Sequence, residues 1–158
     1  MQQLNLNSKN ELTSTAEIIR IKSTDDLDPV RQRENSQYFT PLPIAEFMAA
    51  MPSFTQGKIR ILDPGAGTGI LSASIINQIT KRKLKPEHIL IKAIETDSSL
   101  IPHLTDTLEL CKQKCSEIGI ECEFEIELGD FIKFGVENIR SYSNQVNLFS
   151  NENSCEKF

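Results

Sequence analysis

A short glycine-rich segment between two apolar runs constrains the fold of this chain more than any other feature. It reads Ile61-Leu62-Asp63-Pro64-Gly65-Ala66-Gly67-Thr68-Gly69-Ile70-Leu71. Two aliphatic residues lead into an acid, glycines alternate with other residues, and an apolar helical pattern follows. This order predicts a strand, a tight turn and the start of a helix, with a loop where a ligand can lie directly on the backbone.

The acid at the entrance to this loop distinguishes it from a dinucleotide-binding fingerprint. Asp63 stands shortly before Gly65, whereas the dinucleotide fingerprint has a third glycine three residues after the second and approaches a pyrophosphate. A carboxylate at this place disfavours a phosphate and suits a cationic ligand group. The amino group of S-adenosylmethionine (SAM) is one such group.

Hydrophobic periodicity predicts two further strands, each preceded by a helix. The predicted strands are Ile59–Leu62, Ile89–Ile94 and Glu121–Glu127. The predicted helices between them run from the glycines to about Lys81 and from Ser98 to Ile118, where Gly119 ends the second helix. Strands that alternate with helices in this way are typical of parallel sheets. The predicted fold class is therefore α/β: the first half of a Rossmann-like, doubly wound parallel sheet, preceded by N-terminal helices.

The residues before the first strand predict two helices and a charged connector, Asp25–Asn35. The first helix covers about Leu12–Ile21, with Thr13 or Ser14 as its cap; its inward residues are Ala16, Ile18 and Ile19. The second runs from Pro43 to about Met51; its apolar stripe is Ile44, Phe47, Met48 and Met51. The sequence divides into an N-terminal segment (1–30), a ligand-binding domain (31–140) and a polar tail (141–158).

Composition and charge exclude several classes of protein. Charged residues make up 25% and hydrophobic residues 39% of the chain, which is typical of a soluble globular domain. No apolar run is long enough to span a bilayer and the N-terminus has no signal-peptide pattern, which predicts a cytoplasmic protein without membrane partners. The four cysteines are predicted to be free thiols, and no metal site is predicted.

The charge balance argues against strong nucleic-acid binding by this chain alone. The net charge is -5, and residues 121–158 hold eight acidic residues against three basic ones. Proteins that bind nucleic acids tightly normally carry basic patches that neutralise phosphates. A basic DNA-binding surface, if the protein has one, is therefore expected outside this sequence.

Acids also stand at the ends of the second and third predicted strands. Glu95 ends the second strand and Asp130 follows the third, so both are expected beside Asp63 at the carboxyl ends of the strands, where such sheets bind ligands. A carboxylate at Glu95 can accept both hydroxyls of a ribose. One at Asp130 can accept an adenine amino group, flanked by Phe131 or Ile94. Either acid alone could simply cap the following helix, but together with the glycine loop they favour a nucleoside cofactor.

Two segments taken together resemble a known family. Gln37-Tyr38-Phe39-Thr40-Pro41, followed about twenty residues later by Asp63-Pro64-Gly65-Ala66-Gly67-Thr68-Gly69, is similar to the opening of adenine-specific DNA methyltransferases of restriction–modification systems. The resemblance covers about residues 31–133 and departs from the family at Ser36, where glycine is frequent. It implies the fold of SAM-dependent methyltransferases and SAM as the cofactor.

The resemblance also implies which residues bind the cofactor. The Tyr-Phe-Thr-Pro segment would close over the methionine moiety, the acid and glycine loop would form the main SAM motif, and the later acids would bind ribose and adenine. The cofactor-binding residues expected on this basis are Tyr38, Phe39, Thr40, Asp63, Pro64, Gly65, Ala66, Gly67, Glu95, Thr96, Asp130 and Phe131.

One element of the family has no counterpart in this sequence. Family members carry Asn-Pro-Pro-Tyr (or Phe) after the fourth strand, where it holds an adenine flipped out of the duplex. The resemblance implies that the whole enzyme transfers the methyl group by direct in-line attack of the adenine nitrogen. This chain ends about where that strand would begin. We therefore expect a truncated, disrupted or split enzyme without catalytic residues, inactive alone, whose complete form binds double-stranded DNA.

Two rival interpretations remain open at the level of the sequence. The chain could be a non-catalytic SAM-binding module that docks onto a partner chain, which would supply the rest of the fold. It could also belong to a methyltransferase that acts on RNA, protein or a small molecule. The next ~30 coding residues would distinguish these alternatives, because an Asn-Pro-Pro-Tyr segment there favours the DNA enzyme.

Overall fold

The described part of the chain, residues 11–26, 39–53 and 57–141 of a computed structural model, has a mixed α/β fold. In chain order its elements are α1 (Glu11–Asp26), α2 (Leu42–Ala50), β1 (Lys58–Pro64), α3 (Ile70–Thr80), β2 (His88–Glu95), a 3-10 turn (Ser98–Leu100) that leads into α4 (Ile101–Glu117), β3 (Glu121–Leu128) and α5 (Phe131–Ser141). Among these helices, none combines the length and the apolar character that crossing a membrane requires.

The three strands form one parallel sheet in the order β1-β2-β3. Ile61 of β1 pairs with Ile91 of β2, which pairs with Phe124 of β3. Only the first residue of the central strand, His88, is not buried, as expected for a strand covered on both faces. The predicted α/β class and parallel sheet are confirmed, and the arrangement is consistent with part of a Rossmann-like fold. Among the described residues, no strand pairs with the other edge of β1.

The core lies between this sheet and a layer of helices in which α3 packs against α1, α2 and α4. Its largest fully buried residues include Ile76, Ile79, Ile89, Ile91, Leu104 and Leu108. At the N-cap of α3, Gly69 has a φ of 81°. A Cβ atom there would lie 3.0 Å from the Leu104 side chain and 3.2 Å from that of Thr107. Both the backbone conformation and the close approach of α4 therefore require glycine.

The first helix differs from its prediction in length and orientation. α1 begins at Glu11 and continues to Asp26, so Thr13 and Ser14 lie inside the helix instead of capping it, and the connector prediction was wrong for Asp25 and Asp26. Ile18 was expected to face inward but is exposed, whereas Ala16 is buried as predicted. Two residues along a helix correspond to a rotation of about 200°, so the two side chains point in nearly opposite directions.

The apolar stripe predicted for α2 faces solvent in the described structure. Its buried residues are Ala45 and Ala49, whereas the members of the predicted stripe are exposed: Ile44, Phe47, Met48 and Met51. Small residues one turn apart allow the backbone of α2 to approach α3 closely, which leaves the bulky residues outside. The predicted helix is present, but the expectation that its apolar stripe forms the buried face was wrong.

Some predictions lie outside the described residues. These include most of the charged connector, Tyr38 and nearly all of the polar tail. The division of the chain at residues 30 and 140 also stays a prediction.

A buried lysine connects the central strand to the glutamate row of β3. Lys92 is buried, and its Nζ lies 2.9 Å from Glu127 Oε2 and 3.2 Å from Glu125 Oε2. Burial opposes the charge on Lys92, but hydrogen bonds to the two glutamates outweigh that effect and raise its pKa. Because a one-residue slip would turn these side chains to opposite faces, the ion pairs favour the observed register of β2 and β3.

We expect Lys92→Met to destabilise the chain by roughly 1–3 kcal/mol, less than a fully buried pair would lose, because both glutamates are partly solvated. Methionine keeps most of the packing but leaves Glu125 and Glu127 without a counter-charge. Urea denaturation measures the change. The matched control is the triple variant Lys92→Met, Glu125→Gln, Glu127→Gln, which should recover most of the loss. A single variant as stable as the wild type would contradict this interpretation.

Candidate functional site

Three successive backbone N–H groups of the glycine loop (residues 65–69) donate hydrogen bonds to the end of β2. Gly65 and Ala66 donate to the carbonyl oxygen of Ile94, at 2.8 and 3.0 Å, and Gly67 donates to Glu95 Oε2 at 2.6 Å. Loops that bind phosphate direct such groups at the ligand. Here all three point into the protein, which agrees with the sequence argument against a pyrophosphate.

The carboxylate of Glu95 organises the segment around it. The side chain is buried, and its Oε1 accepts hydrogen bonds from the N–H groups of Thr96 (2.8 Å) and Asp97 (2.9 Å) and from Thr96 Oγ1 (3.3 Å). The backbone carbonyl of Glu95 accepts a further bond from the Gly129 N–H at 2.8 Å. The residue thus joins the glycine loop, the segment after β2 and the end of β3.

Asp63 is a buried acid at the end of β1. Its Oδ2 accepts a hydrogen bond from Ser72 Oγ at 2.5 Å, and the residue is only 5% exposed. Burial raises its pKa from 3.8 to about 6, against the side-chain and backbone hydrogen bonds from Ser72, and the nearby charge of Glu95 adds to the rise. The sequence prediction missed Ser72; its position in the first turn of the helix after the loop was the available signal.

Asp130 is the N-cap of α5. Its Oδ1 accepts the N–H groups of Ile132 at 2.8 Å and Lys133 at 3.4 Å. This is the capping role that the sequence left open as an alternative. Its second oxygen, Oδ2, has no hydrogen-bond partner among the described residues, so capping and ligand binding are compatible.

Aromatic residues lie beside the glycine loop and at the start of α5. The ring of Phe39 is 3.5 Å from the position that a Cβ on Gly67 would occupy, so the segment before α2 contacts the glycine loop. Of the two residues expected to flank an adenine, Ile94 is buried and Phe131 is half-buried, which leaves Phe131 the more accessible. Thr40 is half-buried, and Pro64 and Thr96 are exposed.

The three predicted acids lie at the carboxyl ends of adjacent strands, an arrangement we call the carboxyl edge (Asp63, Glu95 and Asp130). In the pairing register, Asp63 lies opposite Ala93, two residues before Glu95, which pairs with Leu128. The structure therefore brings the three predicted acids to one edge of the sheet. Their binding of a cofactor stays a prediction.

Other groups of potential ligand atoms lie away from the carboxyl edge. Within the described ranges, His88, Glu121 and Glu123 place ligand atoms within 4.8 Å of one another, at the opposite, amino ends of β2 and β3. Two of these side chains are exposed acids, and the cluster lies at the other end of the strands from the glycine loop. Cys111, Cys115 and Cys122 are buried free thiols, as predicted.

We expect Asp63→Asn to stabilise the chain at neutral pH. A carboxyl whose pKa is raised by folding contributes most stability below its unfolded pKa, and that contribution is lost as the pH rises through the folded value. For Asp63 the window runs from about pH 4 to about pH 6, and the shift corresponds to about 3 kcal/mol. Asparagine can still accept hydrogen bonds from Ser72 without carrying a charge.

Urea denaturation at pH 4.5 and pH 7.5 measures this effect. The gain from Asp63→Asn should be larger at pH 7.5 and shrink at the lower pH. Asp106→Asn, on the exposed surface of α4, is the control and should change neither value. A variant less stable than the wild type at pH 7.5 would show that the ionised carboxylate stabilises the fold.

Comparison with known proteins gives one informative similarity. No protein-family model matches the chain. Over 131 residues it is 29% identical to the type II methyltransferase M.PstI of Providencia stuartii, a match that covers 82% of this chain. The chain spans about a quarter of the length of that protein, since the match covers 25% of it. The similarity supports a relationship to methyltransferases in general.

Proposed function

We propose that this chain is the SAM-binding part of a site-specific DNA methyltransferase that acts on the N6 amino group of adenine. The similarity to a type II methyltransferase supports the transferase class. The adenine specificity rests on the resemblance of the Tyr38–Pro41 segment and the glycine loop to that family. SAM, when bound, supplies an activated methyl group on a sulfonium.

The observation that carries the cofactor assignment is the chemistry of the carboxyl edge. It gathers three carboxylates at one end of the sheet, while the glycine loop directs the N–H groups of Gly65, Ala66 and Gly67 inward. A Cβ placed on Gly65 would meet no atom within 4 Å, so the loop is open to a ligand at that position. This donor and acceptor set fits a cationic nucleoside such as SAM and does not fit a nucleotide phosphate.

Each acid of the carboxyl edge then has a role in binding. Asp63 would bind the amino group, since a cation beside it offsets the cost of its buried charge. Glu95 would accept ribose hydroxyls, and Oδ2 of Asp130 would accept the adenine amino group beside Phe131. Phe39, together with Tyr38 and Thr40, would cover the methionine moiety.

The principal alternative is a non-catalytic SAM-binding module or a split subunit that a partner chain completes. It is favoured by the sequence of these 158 residues, which holds the proposed cofactor-binding residues but no Asn-Pro-Pro-aromatic segment. A methyltransferase for RNA, protein or a small molecule is the further alternative. Double-stranded DNA would be a partner of the complete enzyme and, for this acidic chain alone, a weak one or none.

We expect the 158-residue chain to bind SAM and Glu95→Ala to weaken that binding by roughly 1–3 kcal/mol, the usual range for hydrogen bonds to a charged group. Isothermal titration calorimetry measures both affinities. Glu121→Ala, at the exposed amino end of β3, is the control and should bind as the wild type does. ATP should bind much more weakly than SAM, because the loop offers its phosphates no N–H groups at positions 65–67. Equal affinity in wild type and Glu95→Ala would remove the ribose assignment.

We also expect no methyl transfer to DNA by this chain alone. The sequence contains no Asn-Pro-Pro-aromatic segment to hold a flipped adenine, and residues 121–158 are acidic. Incubation of the purified chain with tritiated SAM and adenine-containing DNA should leave the DNA unlabelled. Reproducible incorporation would show that base-handling residues are present in these 158 residues.

A further inference from the structure

The acceptor capacity of the Glu95 carboxylate is nearly used up inside the protein. A carboxylate offers about four lone-pair sites, two on each oxygen. Oε1 already has three donors, from the N–H groups of Thr96 and Asp97 and from the Thr96 hydroxyl, whereas Oε2 has one, from Gly67. Oε1 thus accepts one donor more than its two lone pairs, and only Oε2 can take a further donor without displacing one. A ribose presents two adjacent hydroxyls, so its second hydroxyl must replace one of the three donors on Oε1.

The second hydroxyl needs a position that an internal donor now occupies. The Gly67 N–H is an unsuitable candidate for displacement, because its bond is short at 2.6 Å and its backbone has a φ of 57° under the ring of Phe39. The N–H groups of Thr96 and Asp97 lie at 2.8 and 2.9 Å and are fixed by the chain that follows β2. Displacing any of these leaves a backbone donor without a partner, which is costly.

The hydroxyl of Thr96 differs from these backbone donors in the length of its hydrogen bond, in its attachment to the chain and in its exposure. Its distance of 3.3 Å to Oε1 is long for an O–H···O bond, which is usually about 2.7–2.8 Å. It is held by a single rotatable side-chain bond, and Thr96 is exposed, so the hydroxyl can bond to water after it leaves. It is the donor whose loss costs least.

We propose that the Thr96 hydroxyl is an internal competitor for the position on Glu95 that the second hydroxyl of a ribose takes, and that it turns away when a cis-diol binds. This inference rests on the proposed function and adds a residue that sets the preference for a ribose with both hydroxyls. Thr96 acts here through Glu95 and is a positioning residue.

The test compares Thr96→Val, which has the same shape without the hydroxyl, with Thr96→Ser, which keeps the hydroxyl. Calorimetric titration uses S-adenosylhomocysteine and its 2′-deoxy analogue with the 158-residue chain. We expect Thr96→Val to bind S-adenosylhomocysteine about two- to fivefold more tightly than the wild type, the range for loss of one weak competing hydrogen bond. Thr96→Ser should bind as the wild type does.

The deoxy analogue provides a readout that a purely structural effect would not give. Its single hydroxyl needs only the open position on Oε2, so wild type and Thr96→Val should bind it equally. Equal or weaker binding of S-adenosylhomocysteine by Thr96→Val, or an equal gain for both ligands, overturns the inference while leaving the proposed function intact. Failure of all three proteins to bind S-adenosylhomocysteine or SAM overturns the proposed function and the inference with it.

Discussion

The end of β2 is the point on which the rest of the site depends. The Ile94 carbonyl and the Glu95 carboxylate together accept the N–H groups of three successive loop residues, Gly65 to Gly67. The Glu95 carbonyl also holds Gly129, just before Asp130. Because β2 is the central and most buried strand, these bonds anchor both neighbouring strand ends to the most buried part of the sheet. The position of the carboxyl edge thus follows from the pairing of three strands.

Two buried charged residues, Lys92 and Asp63, affect the stability of the fold in opposite ways. Lys92 is compensated by Glu125 and Glu127, which raise its pKa and favour the observed register. Asp63 receives hydrogen bonds from Ser72, but burial and the charge of Glu95 still raise its pKa to about 6, so its ionised form opposes folding at neutral pH. Strongly perturbed pKa values of this kind cluster at functional sites. The contrast is consistent with the role proposed for Asp63 and with a structural role for Lys92.

The sequence predicted the elements whose signals are local. The strand–glycine–helix order, the alternation from Glu121 to Glu127 and the helix end at Gly119 all depend on neighbouring residues, and the structure confirms them. The burial of α2 could not be predicted in this way, because small residues at Ala45 and Ala49 determine how closely the helix approaches α3. Hydrogen bonds such as Ser72 to Asp63 depend on rotamers and on tertiary placement, which periodicity does not encode.

Gly67 links two parts of the site through one backbone unit. Its N–H donates to Glu95, where a ribose is proposed to bind, and its Cα faces the ring of Phe39, which belongs to the segment proposed to cover the methionine moiety. A side chain at this position would be strained by the φ of 57°, although its Cβ atom would meet the Phe39 ring at an ordinary contact distance of 3.5 Å. Glycine is therefore required at position 67 by its left-handed backbone, which directs the N–H toward Glu95, and not by the nearby ring of Phe39. The glycine in the sequence reflects a demand of backbone conformation at the residue where the two parts of the site meet.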